Sequence, residues 1–123
     1  MKFILLVGAG SFIGGSARFL LSEWIQTKTL SSFPYATLTV NLIGCFAIGL
    51  VFGFIEKTQP PLDWRLFVTT GILGGFTTFS ALSVETFSMI RTGNISNAVI
   101  YILLSTIMGI LFTAIGFLIV KAI

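Results

Sequence analysis

Several stretches of about 20 residues run through this chain nearly free of charge, and that length matches the hydrocarbon thickness of a bilayer. A soluble core would interrupt such runs with polar faces, so they are read as membrane spans. Composition agrees: of 123 residues, 55% are hydrophobic and 9% charged, whereas a soluble domain carries about 25% charged residues. A leader peptide would also open with a cation and an apolar stretch, as Lys2 and the residues after it do. Here the apolar character resumes at Phe12, Ile13, Phe19, Leu20 and Leu21. The segment is therefore long enough to span and is expected to stay in the mature protein.

Spans are expected over about residues 3–24, 35–55, 64–89 and 98–120, so that 1–123 forms a single four-helix transmembrane domain. Trp24 suits an interface, and Pro34 opens the second span where a missing backbone N–H costs nothing. Pro60 and Pro61 close that span, and Gly93 with Asn94 turns the chain into the last one. The connections are too short to recross the membrane, so consecutive helices alternate in direction and the termini share a side. With the termini inside, Lys2, Lys57, Arg65 and Lys121 face the cytoplasm while Lys28 and Arg91 face out. Such a small bias permits insertion in both orientations. The third span carries Gly71-Ile72-Leu73-Gly74-Gly75-Phe76-Thr77-Thr78-Phe79-Ser80, a poor sequence for an unbroken helix. A break is expected there.

The seven cations are scattered singly, with no cluster to track a phosphate backbone, so nucleic acid is not an expected partner. Cys45 is the one cysteine and histidine is missing from the chain. Neither an intrachain disulfide nor a Cys/His metal site is available, and Cys45 reads as a small packing residue. An enzyme is not expected either: no nucleophile, base and orienting group sit plausibly together, and Ser80 and Ser83 near Glu85 do not make a triad.

Polar side chains inside spans are costly and are the candidates for function. Arg18, Asn41 and Glu85 stand out, with snorkelling open to Arg18 and an interhelical Arg18–Glu85 ion pair open to both. Thr37 lies one turn before Asn41 on the same face, and Tyr101, Ser105, Gly109 and Thr113 repeat every four residues along the last span. Hydroxyl and amide groups donate to anions, and aromatic edges such as those of Phe76 and Phe79 attract them. The interior therefore suits a small anion. Carbonyls freed at the broken third span could hold a cation. Four short helices cannot both enclose a polar path and wall off lipid, so an oligomer is expected.

Three segments, one per helix, carry a family resemblance: Gly14-Gly15-Ser16-Ala17-Arg18, Thr37-Leu38-Thr39-Val40-Asn41-Leu42-Ile43-Gly44, and Gly71 to Ser80. In that order they resemble the signature segments of the Fluc (CrcB) family of fluoride channels, and the resemblance covers essentially the whole chain. It implies an all-α membrane protein with the third helix broken near its middle, assembled as an antiparallel dual-topology homodimer. Two pores per dimer would let fluoride leave passively down its electrochemical gradient, relieving toxicity, around a central structural sodium ion that is not transported. By the same resemblance Asn41 and the Phe79 ring edge coordinate fluoride, and the Gly74 and Thr77 carbonyls bind sodium. Arg18 and Glu85 belong to the vestibule region, and Thr37, Ser83, Ser105 and Thr113 match the polar lining. A multi-pass place in a bacterial inner membrane is the corresponding expectation.

Two positions depart from the pattern. Leu82 stands where the family commonly has a second phenylalanine, and Gly109 where a hydroxyl would extend the fourth-helix track. The main rival is a small multidrug exporter, also a four-helix antiparallel dimer, driven by proton exchange at a membrane carboxylate. Its first-span acid is missing, since Glu23 falls at the helix end.

Overall fold

The computed structural model describes residues 1–123, all of it helix and short connections. Helix α1 is Lys2–Lys28 and α2 is Tyr35–Thr58. The third span begins as α3, Leu62–Arg65, widens into a π-helix over Leu66–Leu73, and closes as α4, Gly74–Phe76. After a break the chain resumes as α5, Phe79–Arg91, and α6, Ile95–Ala122, completes the fold. Four helical stretches are long and apolar enough to cross a membrane: Lys2–Lys28, Tyr35–Thr58, Leu62–Arg91 and Ile95–Ala122. Each runs past the apolar limits read from the sequence, because helices continue through the polar residues that flank hydrocarbon. The break falls at Thr77 and Thr78, inside the expected segment. The π-helix before it was not anticipated.

Local chemistry ends the helices where it should. Gln59 adopts a left-handed conformation (φ 49°) that stops α2 just before Pro60 and Pro61. Gly93, at φ 79°, makes the turn into α6 without the penalty a side chain would meet there.

Packing follows the small residues. Helix α1 lies against the π-helix and α4, α2 lies along α6, and α5 swings away after the break to lean on α6. A Cβ on Gly71 would stand 2.9 Å from the Gly10 Cα, so the backbones of α1 and the π-helix touch directly. Between α2 and α6 a Cβ on Gly49 would run into the Thr113 carbonyl, the small-residue contact that lets membrane helices approach closely. Replacing Gly49 with Leu is expected to force α2 off α6, an overpacking cost of about 1–3 kcal/mol or more. A lower thermal midpoint of the detergent-purified protein would register it.

Only 16 of 123 residues are buried, and the apolar ones among them are Ala36, Val40, Ile55 and a compact cluster of Met89, Ala98 and Tyr101. Large apolar side chains therefore point outward along every span, an exposure suited to lipid or to another protein surface and not to water.

Candidate functional site

Two residues in extended conformation, Thr77 (φ −83°, ψ 159°) and Thr78 (φ −150°, ψ 119°), interrupt the third span. The Thr77 N–H still reaches the Leu73 carbonyl at 3.0 Å, but the Thr77 carbonyl and both Thr78 backbone groups leave the helical ladder at membrane depth, where protein must satisfy them. The side chain of Asn41 does so for Thr78. Its Nδ2 donates to the Thr78 carbonyl at 3.0 Å, and the Thr78 N–H donates to Asn41 Oδ1 at 2.9 Å. One amide thus pairs with the backbone as a neighbouring strand would. Arg18 Nη1 donates to the Thr77 carbonyl at 3.3 Å, and the Thr78 hydroxyl caps α5 by accepting from the Ala81 N–H at 3.2 Å. Gly44, one turn after Asn41, is buried beneath the Thr77 methyl group.

Beside this break lies an open cavity of about 420 Å³, bordered by Asn41, Cys45, Thr78, Phe79, Leu82 and Ser105. Gly74 and Thr77 border it too. Asn41 carries two amide N–H donors, of which one is committed to Thr78. The Ser105 hydroxyl is buried without a hydrogen-bond partner in the protein. Phe79 is 80% exposed and leaves its ring free at the cavity edge. Cys45 and Ser105 also border a second groove, of about 550 Å³, that continues along α2 and α6 past Gly109 and Thr113. There the Thr113 hydroxyl is already occupied, lying 3.0 Å from both the Cys45 and the Gly109 carbonyls.

A second constellation forms on the Glu85 side of α5. Thr37 Oγ1 donates to Glu85 Oε1 and the Tyr101 hydroxyl to Glu85 Oε2, both at 2.6 Å. Phe33 meets the Tyr101 ring edge-on at 5.6 Å. Glu85 borders a polar pocket of about 370 Å³ that opens towards the α1–α2 connection. Replacing Glu85 with Gln puts an amide NH₂ where one hydroxyl now finds an acceptor. A thermal midpoint lowered by the equivalent of about 1–3 kcal/mol is expected, measured on the purified protein.

The candidates read from the sequence therefore separate into groups. Asn41, Phe79 and Ser105 share a cavity with Gly74 and Thr77, while Thr113 lines the adjoining groove. Thr37 and Glu85 join each other. Ser83 lies apart, exposed, its hydroxyl donated to the Phe79 carbonyl one turn back at 3.0 Å. The Arg18–Glu85 ion pair does not form. Ion pairs in the chain join Lys2 to Asp63 and Lys121 to Glu56, because Glu85 finds two hydroxyls and Arg18 a carbonyl at closer hand. Thr78 was missed as a partner of Asn41. The only signal for it in the sequence was that a buried amide needs donors and acceptors, and that the break would supply them.

Comparison with known proteins gives the same direction from the whole chain. Residues 5–117 match the family described as CrcB-like protein, Camphor Resistance (CrcB). A relative from Parabacteroides distasonis is 38% identical over 119 residues, covering 97% of this chain and 91% of its own. One from Aquifex aeolicus is 40% identical over 119 residues, 96% of each chain. One from Nitratiruptor is 44% identical over 107 residues, 87% of this chain and 83% of its own. Each bears the name fluoride-specific ion channel FluC. Similarity that runs across all four spans, over nearly the full length of both partners, leaves one assignment: the chain belongs to the CrcB family.

Proposed function

We propose that this protein is a fluoride-selective channel that lets the anion leave passively, and that it is not an enzyme. The observation that carries the reading is the cavity at the broken helix, whose lining includes Asn41 with a spare N–H, Ser105 with an unpartnered hydroxyl and the exposed Phe79, and no charged side chain. Fluoride is small and holds its water strongly, so a selective path must replace that shell with short, directed donors. Neutral donors do this without trapping the ion, since conduction needs binding weak enough to leave. The names borne by the relatives point to the same anion. The exporter alternative gains nothing here, because Glu85, the one carboxylate well inside a span, is engaged by two hydroxyls.

The assembly proposed is an antiparallel, dual-topology homodimer with two pores, set in a bacterial inner membrane. What supports it is the open side of the cavity and the outward apolar surface of every span, together with the small difference in cations between the two ends. Gly74 and Thr77 would hold a structural sodium ion through their carbonyls. The residues fit such an ion: neutral oxygens suit a hard cation, and Gly74 is exposed, with only the Thr69 carbonyl, at 3.6 Å, near the place a Cβ would take. Thr77 gives one lone pair of its carbonyl to Arg18 and keeps another. When bound, the ion would supply a fixed positive charge at the meeting of two broken helices.

Efflux from liposomes loaded with potassium fluoride, with valinomycin to relieve the voltage, tests the function. Fast loss of fluoride with chloride retained is the expected result. Equal loss of both anions, or of neither from folded protein, would overturn it.

A further inference from the structure

Helices α2 and α6 run side by side in the same direction, and their facing residues meet rung by rung. Thr37 and Tyr101 meet at Glu85, and the Cys45 carbonyl meets the Thr113 hydroxyl. Next, Phe52 and Phe117 lie with ring centroids 5.5 Å apart. Last, Glu56 meets Lys121 at 2.8 Å. On α6 the series Tyr101, Ser105, Gly109, Thr113, Phe117 and Lys121 advances four residues at each step, a single face that drifts only slowly around the helix. The groove lined by Ser105, Thr113, Phe52 and Phe117 thus leads, one turn beyond Phe117, to an ion pair. The Lys121 ammonium stands 5.5 Å from the Phe117 ring centroid, so it is held towards the groove. Lys2, at the same end of the bundle, is engaged by Asp63 instead.

We infer that Lys121 is the anion-collecting residue at the mouth of the α2–α6 groove, and that Glu56 masks it. The inference rests on reading that groove as part of an anion pathway. Both side chains are about two-fifths exposed (43% and 41%), and surface pairs of this kind are worth only about 0–1 kcal/mol. The pair is therefore no strong clamp between the helices. Its consequence is electrostatic: while paired, the two charges cancel towards an approaching ion. An unmasked ammonium at a mouth walled by two phenylalanines raises the local concentration of anions and their entry rate. No charged side chain lines the groove itself, so an ion gathered at the mouth meets nothing further along that would trap it.

The effect of such a charge depends on screening, and a structural effect does not. Initial fluoride efflux is to be measured from liposomes at about 0.01 M and about 1 M ionic strength, where the screening length is about 30 Å and about 3 Å. At low ionic strength Glu56→Gln is expected to raise the rate about threefold and Lys121→Gln to lower it about threefold, with Lys121→Arg close to the unaltered protein. At high ionic strength the four proteins should converge. Equal rates at low ionic strength would overturn the inference, as would differences that persist undiminished at high ionic strength. Absence of fluoride efflux from the unaltered protein is a separate result, and it would overturn the channel reading on which the inference stands.

Discussion

Asn41→Ala is expected to reduce fluoride efflux by about 100-fold. The substitution removes both hydrogen bonds that tie α2 to Thr78, at 3.0 and 2.9 Å. A buried polar group left without a partner costs about 1–3 kcal/mol, and about 3 kcal/mol in all corresponds to roughly two decades of rate. The same change deletes the spare N–H of a residue that lines the cavity. Asn41→Asp separates these contributions. A carboxylate still accepts from the Thr78 N–H, but it cannot donate to the Thr78 carbonyl, and it turns a negative charge towards an incoming anion. It should therefore be as inactive as the alanine variant while losing less thermal stability. Efflux in liposomes and the thermal midpoint in detergent check the pair, and unchanged flux through folded Asn41→Ala protein would remove Asn41 from the pathway.

Why Asn41 was legible in the sequence, and its partner was not, reflects what one-dimensional patterns record. An amide in an apolar span announces a cost that something must offset, and Gly74-Gly75 followed by two threonines announces a helix that cannot continue. That these two features meet depends on how α2 packs against the third span, which no spacing states. The spans themselves could be read because charge-free length is a strong constraint in a bilayer. Their ends could not, since Gln26 to Lys28 and Glu56 to Thr58 remain helical outside the apolar run. The π-helix over Leu66–Leu73 left no trace, because shifting a backbone bond from the fourth to the fifth residue changes no composition. Charge complementarity suggested Arg18 with Glu85, but a carbonyl and two hydroxyls were nearer. Ser83 matches the polar lining by resemblance, and its hydroxyl is donated to the Phe79 carbonyl of its own helix.

Gly44→Ala should lower fluoride efflux as well, and a second substitution should restore it. The Cβ introduced at Gly44 would occupy the position of the Thr77 methyl group and stand 3.4 Å from Phe76 Cδ1. Thr77 has little freedom to move aside. It is β-branched and stiff at χ1, its hydroxyl lies 3.0 Å from the Leu73 carbonyl, and its own carbonyl accepts from Arg18. The clash therefore passes into the break, displacing Thr77 and with it the Thr78 groups that Asn41 holds. An overpacking cost of about 1–3 kcal/mol predicts efflux lowered by roughly tenfold or more. Thr77→Ser removes the offending methyl group and keeps the hydroxyl, so Gly44→Ala combined with Thr77→Ser should recover most of the flux, while Thr77→Ser alone should change little. Such a recovery is strongly non-additive, as direct contact requires. Simple addition of the two single effects would mean that Gly44 serves the site by some means other than making room for Thr77.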